Sequence, residues 1–123
     1  MLQFRPLDPN VPIIEQLSSD VSPVVLINLF QVAEADIPAL LKAWEEDGNW
    51  MKRQPGYISV QLHQAIGGSN LFLNYVVWES VAHYRAAFTH PDFKRLLEKH
   101  PSSAVAAPHL FKRIGVPNLC TGQ

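Results

Sequence analysis

The sequence predicts an α+β domain of the ferredoxin-like type, with the element order β-α-β-β-α-β and an antiparallel sheet. Three apolar or alternating segments, at 24–32, 57–66 and 71–78, have the pattern of strands, and two segments with a 3.6-residue apolar repeat lie where the helices belong. The glycine pair Gly67-Gly68 marks a hairpin between the second and third strands. A chain of 123 residues provides one such domain.

The first half of the unit is a strand followed by a helix. The strand VVLINLFQV, at 24–32, is apolar on both faces apart from Asn28 and Gln31, which is typical of a strand covered on two sides. The helix has Asp36 as its expected N-cap and keeps its apolar stripe as far as Met51. Gly48 interrupts that stripe and predicts a bend or a packing constraint.

The second half begins with YISVQLHQAI, whose alternation places Val60 and Leu62 on one face and His63 on the other. After the hairpin, LFLNYVVW at 71–78 is the returning strand. A helical pattern begins at Glu79, breaks near His90 and restarts with a proline in its first turn. The segment AAPHLFKRIG predicts a last short strand.

These elements divide the chain into three parts. Residues 1–23 are punctuated by proline and are expected to form an arm preceding the core, residues 24–116 form the ferredoxin-like domain, and residues 117–123 form a tail. The N-terminus has no continuous apolar stretch, and no span of membrane length follows, so we expect a cytoplasmic protein that has no membrane partner.

Composition excludes several classes of protein. A hydrophobic content of 47% excludes a disordered chain, and a net charge of −1 with dispersed Lys and Arg gives no basic surface for nucleic acid. Cys120 is the single cysteine, so no intrachain disulfide can form. The 5 histidines do not fall four residues apart on one helix, and no metal site is expected.

The sheet itself predicts a partner. With the helices on one face, the strands at 24–32 and 71–78 would leave an apolar patch uncovered on the other. The simplest cover is a second copy of the chain, which predicts a homodimer joined through its sheet faces.

Polar side chains within the apolar strands are the candidates for function. Asn74 and Trp78 lie on one side of their strand because strand side chains alternate. A buried amide without a partner costs about 1–3 kcal/mol, so Asn74 needs an internal partner, a water or a ligand. Asn28 has the same ambiguity, Trp78 and Tyr84 also fit plain core packing, and His63 also fits an exposed strand end.

Two stretches carry a family resemblance. The segment NYVVWESVAHYR, at 74–85, and the earlier WEEDGNWMKRQPGYISVQLHQA, at 44–65, resemble the antibiotic biosynthesis monooxygenase superfamily, over residues 24–113 in all. Members are dimeric α+β barrels built from two ferredoxin-like units. The pattern most resembles the cofactor-free anthrone monooxygenases, of the kind found in actinorhodin biosynthesis.

The resemblance implies a function and a site. It implies a monooxygenase that uses no cofactor and acts on a small aromatic substrate, a polycyclic phenol or anthrone, with O2 to give a quinone. The catalytic residues that it implies are Asn74, Trp78, Tyr84, His63 and Arg95, with Lys94 as the alternative to Arg95. We expect Asn28, Trp44, Trp50, Met51, Phe72 and Phe88 to complete the substrate pocket.

Two other functions fit the same pattern. In the haem-degrading branch of the superfamily, Asn28 and Trp78 match, but the axial position falls near Leu97, which cannot bind iron, with His100 about one turn further on. The other is a non-catalytic dimer that binds a ligand or has a stress-related role.

Overall fold

A five-stranded sheet carries four helices in the computed structural model, which describes residues 1–122. Along the described chain the elements are β1 (Gln3–Phe4), α1 (Ile13–Gln16), β2 (Val24–Gln31), α2 (Ile37–Met51), β3 (Tyr57–Gln64), β4 (Leu71–Trp78), α3 (Val81–Phe88), α4 (Pro91–Leu97) and β5 (Val105–Phe111). A single turn of 3-10 helix, Glu34–Asp36, leads into α2.

The strands lie in the order β1-β5-β2-β4-β3. All neighbours are antiparallel except β1, which runs parallel to β5. Strands β2 to β5 with α2, α3 and α4 form the ferredoxin-like β-α-β-β-α-β unit, so the predicted fold class is confirmed. The buried side chains of α2, α3 and α4 pack on one face of this sheet.

The N-terminal segment is packed against the core. Strand β1 pairs with the start of β5, and α1 lies beside the part of β5 that β1 does not reach. There the buried Gln16 accepts a hydrogen bond from the backbone N–H of Leu110, at 2.7 Å, through its Oε1. A strand edge exposes unpaired backbone groups, and this segment, expected as an arm, covers them.

Three details of the elements differ from the sequence pattern. Asp36 precedes α2 as expected, but its carboxylate accepts a hydrogen bond from the Ser103 hydroxyl, at 2.7 Å, instead of capping the helix. Helix α2 runs through Gly48 without a break. Strand β5 ends at Phe111, before the end of the segment that the pattern suggested. The break near His90 is confirmed, because α3 and α4 are separate helices.

Gly56 sets the turn that begins β3. Its φ is +87°, and a Cβ at this position would overlap the imidazole of His83. Its carbonyl accepts a hydrogen bond from the N–H of Glu79, at 2.7 Å, just beyond β4. The turn therefore ties the start of β3 to the end of β4.

Gly56→Ala is expected to lower the free energy of unfolding by about 2–3 kcal/mol, because it adds a steric conflict with His83 to a left-handed backbone. Gly67→Ala is the matched control, since Gly67 has φ +81° but no atom within 4 Å of the added carbon. It should lose only about 1 kcal/mol. Urea denaturation of both variants tests this, and equal losses would show that the contact with His83 is harmless.

Candidate active site

Two central strands place the polar residues of the candidate site. In the pairing of β2 with β4, Asn28 lies opposite Asn74 and Leu26 lies opposite Val76. Because strand side chains alternate between faces, these four and Trp78 share the face that the helices cover. All five line one cavity between the sheet and the helices.

The helices supply the opposite wall. Trp44, Asp47, Gly48 and Met51 lie three or four positions apart on α2, so they share one face of that helix and line the cavity together. No atom lies within 4 Å of the place where a Cβ of Gly48 would be, so this glycine leaves open space. The remaining lining residues are Phe30, Tyr57, Val60, Tyr84 and Phe93.

The cavity is a narrow cleft. It has a volume of about 530 Å³, including the space at its open mouth. Its walls are mostly aliphatic and aromatic, with a few polar groups, as is usual for small-molecule sites.

Four polar atoms of the lining residues are buried without a hydrogen-bond partner among the described residues. They are Oδ1 of Asn28, Oδ1 of Asn74, Oδ1 of Asp47 and Nε1 of Trp78. Leaving such an atom unpaired costs about 1–3 kcal/mol, so a water or ligand that satisfies several of them is strongly favoured in this space. Asn74 therefore lacks the internal partner that would make it a plain core residue.

Aromatic packing fixes the position of the Trp78 indole. The side chain is 1% exposed, and its ring centroid lies 5.8 Å from that of Tyr57 and 5.8 Å from that of Tyr84. Phe88 stacks on the other side of Tyr84 at 5.4 Å. Rings held from several directions have few alternative rotamers, so the indole N–H keeps one direction.

Burial raises the pKa of three ionisable residues that line the cavity, Tyr57, Tyr84 and Asp47. Burial raises the pKa of Tyr84 far above its ordinary value, so its phenol stays protonated and can donate a hydrogen bond near neutral pH. Burial also raises the pKa of Asp47, although a hydrogen bond from His100 acts in the opposite direction. The distance from His100 Nε2 to Asp47 Oδ2 is 2.6 Å.

A comparison with protein families identifies the domain. The family model described as antibiotic biosynthesis monooxygenase matches residues 23–99, which include β2 to β4 and helices α2 to α4. The chain belongs to this family. No curated protein sequence matches the chain.

Solved structures with the same fold include family enzymes. SnoaB, a cofactor-independent oxygenase from Streptomyces nogalater, is 20% identical over 80% of this chain and 99% of its own, with a TM-score of 0.71. A candidate monooxygenase from Shewanella loihica PV-4 is 31% identical over 80% of this chain and 100% of its own, with a TM-score of 0.67. The first likeness shows the fold, and the second supports the family membership as well.

The structure brings together only part of the site that the sequence predicted. Asn28, Trp44, Met51, Asn74, Trp78 and Tyr84 all line the cavity. Trp50, Phe72 and Phe88 are not among its lining residues. Trp50 stacks at 5.9 Å on Phe93 and Phe88 at 5.4 Å on Tyr84, so both support residues that do line it, while Phe72 is buried in the core.

His63 does not lie in the cavity, contrary to expectation. It pairs with Leu73, whereas its neighbour Leu62 pairs with Asn74. The alternation of β3 therefore points the imidazole to the open face of the sheet, where it is exposed.

Arg95 and its alternative Lys94 are also outside the cavity. Phe93 and Leu97 are the buried positions of α4, and the helical repeat turns the two basic residues between them towards solvent. The Arg95 guanidinium is 68% exposed and pairs with Asp92 on its own helix.

Sequence reasoning missed Asp47 and His100. Asp47 lies three residues after Trp44 and four before Met51, so it falls within the apolar stripe of α2. An acidic residue in such a stripe is the sequence feature that could have indicated its place in the cavity. Nothing in the local sequence indicates that His100, 53 residues away, is its partner. The described residues contain no group of three His, Cys, Asp or Glu placed to hold a metal ion, and no described helix is long and apolar enough to cross a membrane.

Tyr84→Phe is expected to reduce the loss of stability that accompanies alkaline pH. The ordinary pKa of a tyrosine, as in the unfolded chain, is 10.0, and the pKa of Tyr84 in the folded protein is higher. Above about pH 10 the unfolded chain therefore releases a proton that the folded protein keeps, and the free energy of unfolding falls by up to about 1.4 kcal/mol per pH unit. Below that pH the group contributes no pH dependence.

Urea denaturation between about pH 9 and pH 11.5 measures this slope. The slope should become shallower in Tyr84→Phe than in the wild type. Identical slopes in the wild type and Tyr84→Phe would contradict the buried, protonated phenol.

Proposed function

We propose that this protein is a cofactor-independent monooxygenase that oxidises a flat polycyclic phenol, of the anthrone type, to a quinone with dioxygen. The observation that carries the proposal is the group of unpaired polar atoms in an apolar cleft, above all Oδ1 of Asn74 and Nε1 of Trp78. A planar phenol would fill the cleft, with hydroxyl groups that can donate to the amide oxygen and a carbonyl oxygen that can accept from the indole N–H.

The reaction balances without an external reductant. Loss of a proton from the methylene carbon of an anthrone leaves an electron-rich enolate, and this enolate supplies the electrons that reduce dioxygen. One oxygen atom becomes the new carbonyl of the quinone, and the other leaves as water. The protein has to bind the enolate, admit dioxygen and exclude bulk water.

The lining residues suit these tasks. The Asn74 amide would hydrogen-bond the enolate oxygen, and Trp78 Nε1–H would donate to negative charge that develops on the oxygen species. Tyr84, held protonated by burial, would serve as a further donor. Asn28 lies opposite Asn74 and would bind a second oxygen, while Trp44 and Met51 form apolar walls against the rings.

Relatives of the same family support this chemistry. SnoaB, which shares the fold, is described as a cofactor-independent oxygenase, and the more similar Shewanella loihica protein is described as a candidate monooxygenase. His63 and Arg95 are given no role in the cavity, because both side chains lie outside it.

The open face of the sheet favours a homodimer. The side chains there include the half-buried Ile27, Leu29, Leu73 and Val77, with Tyr75 37% exposed. An apolar sheet surface of this kind is normally covered in a soluble assembly. A second copy of the chain, packed sheet against sheet, would cover it.

A non-catalytic ligand-binding protein is the main alternative function, because the same unpaired atoms would also hold a ligand that does not react. Haem handling fits less well. The residues that line the cavity include no histidine or cysteine, Leu97 is buried, and His100 is hydrogen-bonded to Asp47.

The expected activity is oxidation of 1,8-dihydroxyanthrone in metal-free, air-saturated buffer, followed by the absorbance of the quinone. The wild type should exceed the buffer blank, and Trp78→Phe and Asn74→Ala should each lose about 10²-fold or more, because each removes a donor for developing negative charge. Asn49→Ala, on the exposed side of α2, is the matched control and should keep the wild-type rate.

A wild type that matches the blank, while 1,8-dihydroxyanthraquinone still binds, would favour the non-catalytic function. Equal activity in the wild type and Trp78→Phe would contradict the proposed role of the indole. A Soret shift on haem titration would instead support the haem-handling function.

Light scattering after size-exclusion chromatography tests the dimer. The wild type should have the mass of two chains, and Leu73→Glu should have the mass of one, because a carboxylate would be buried at the centre of the sheet interface. Ile66→Glu is the matched control, since Ile66 is 94% exposed at the hairpin. A monomeric wild type, or a dimeric Leu73→Glu variant, would contradict the sheet-to-sheet arrangement.

A further inference from the structure

A buried carboxylate–imidazole pair lies at the wall of the cavity. Asp47 comes from α2, and His100 follows α4, so the pair joins two segments that both pack on the sheet. The His100 side chain is 0% exposed and that of Asp47 is 13% exposed. Among the described residues that line the cavity, Asp47 is the one carboxylate, and no Lys, Arg or His accompanies it.

The two ring nitrogens of His100 have different surroundings. His100 uses Nε2 to reach Asp47 Oδ2, while its Nδ1 is buried and has no partner among the described residues. A ring proton on Nε2 can be donated to the Asp47 carboxylate, and this hydrogen bond holds the carboxylate from one side.

One oxygen of the Asp47 carboxylate has no hydrogen-bond partner among the described residues. Oδ2 accepts from His100, and Oδ1 is buried with no partner among residues 1–122. Asp47 lines a mostly apolar cleft, and a carboxylate held from one side with its second oxygen unpaired can accept a proton from a molecule bound there. Tyr84 is unsuited to this task near neutral pH because its phenol remains protonated.

We propose that Asp47 is the general base of the cavity and that His100 is the residue that positions it. This inference rests on the proposed monooxygenase function and assigns the proton-accepting role within it. In the step that we assign, the C–H bond at the methylene carbon of the substrate breaks, and its electron pair remains on the substrate as an enolate. The proton forms an O–H bond with Oδ1 of Asp47.

The charges balance through the reaction. The negative charge of Asp47 is replaced by that of the enolate, so the cavity holds one negative charge before and after the transfer. Dioxygen adds to the enolate carbon and is reduced to a peroxide anion, which takes up the proton from Asp47 and becomes a hydroperoxide. Loss of the second C–H proton to Asp47, with cleavage of the O–O bond, gives the quinone and a hydroxide, which takes that proton from Asp47 and leaves as water.

Other titratable groups surround the pair and contribute to its pH dependence. Glu46 and Lys99 form an ion pair with each other at 3.0 Å. The charge of Glu46 raises the pKa of Asp47, and the charge of Lys99 lowers it. The N-terminal amino group of Met1 donates to the backbone carbonyl of His100 at 3.2 Å. Tyr57 and Tyr84 are the titratable groups that line the cavity with Asp47.

The test is the pH dependence of anthrone oxidation between about pH 5 and pH 9, measured at saturating 1,8-dihydroxyanthrone and corrected for the blank. The wild-type rate should fall at low pH as the base becomes protonated. Asp47→Asn keeps an oxygen that can accept from His100 but cannot take up a proton. It should lose about 10²-fold or more in rate together with the acid limb of the profile.

Matched variants separate proton transfer from structure. Asp47→Asn should bind 1,8-dihydroxyanthraquinone within about threefold of the wild type, because only the proton acceptor is lost. Glu45→Gln removes an exposed carboxylate on the same helix and should leave both rate and profile unchanged. His100→Leu removes a donor that lowers the pKa of Asp47, so the acid limb should move to higher pH while a measurable rate remains.

The outcomes distinguish this inference from the proposed function. If Asp47→Asn keeps the wild-type rate and acid limb while Trp78→Phe falls to the blank, Asp47 is not the base and the monooxygenase function stands. If saturating substrate restores the rate of Asp47→Asn, its role is in binding, and the inference is overturned. A wild type that matches the blank overturns both. Should Asp47→Asn fail to fold, an acid limb that does not move in His100→Leu overturns the inference.

Discussion

The register of β2 against β4 is the constraint on which the candidate site depends. With Asn28 opposite Asn74, both amides and the Trp78 indole face the helices, while Ile27 and Tyr75 face away. A slip of one residue would turn every one of these side chains to the other face.

This register also lowers the stability of the fold, because it buries polar atoms without hydrogen-bond partners. The core around Trp78 buries an indole N–H, two amide oxygens and a carboxylate oxygen without partners among the described residues. Apolar side chains of similar volume would pack there without that cost, since native proteins satisfy most buried polar atoms. A bound molecule or an ordered water would complete the hydrogen bonds of these atoms.

Local patterns predicted the elements and half of the site. The apolar periods gave the strand and helix order, and strand alternation alone placed Asn74 and Trp78 on one side. Alternation also indicates that His63 points away from the face of Val60 and Leu62, whereas the family resemblance predicts it in the pocket, and the structure has it on the open face. At the start of β3, a bulge between Tyr57 and Ser59 changes the alternation, which leaves Ile58 50% exposed and brings Tyr57 to the cavity.

The rest of the site depends on tertiary contacts that no local pattern contains. The pairing of Asp47 with His100 requires α2 and the end of α4 to be packed side by side. The covering of the β5 edge by Gln16 requires a contact between residues 94 positions apart. Arg95 was placed by resemblance, although the period of α4, read from Phe93 and Leu97, points it outwards.

The most direct test of this account is a crystal structure of the protein with 1,8-dihydroxyanthraquinone. The rings are expected between Trp44, Met51 and the sheet, with ligand oxygens within hydrogen-bond distance of Trp78 Nε1 and the Asn74 amide, and with the carbon derived from the methylene group facing Asp47 Oδ1. A ligand bound elsewhere, with these atoms hydrogen-bonded only to ordered water in an unchanged cleft, would contradict it.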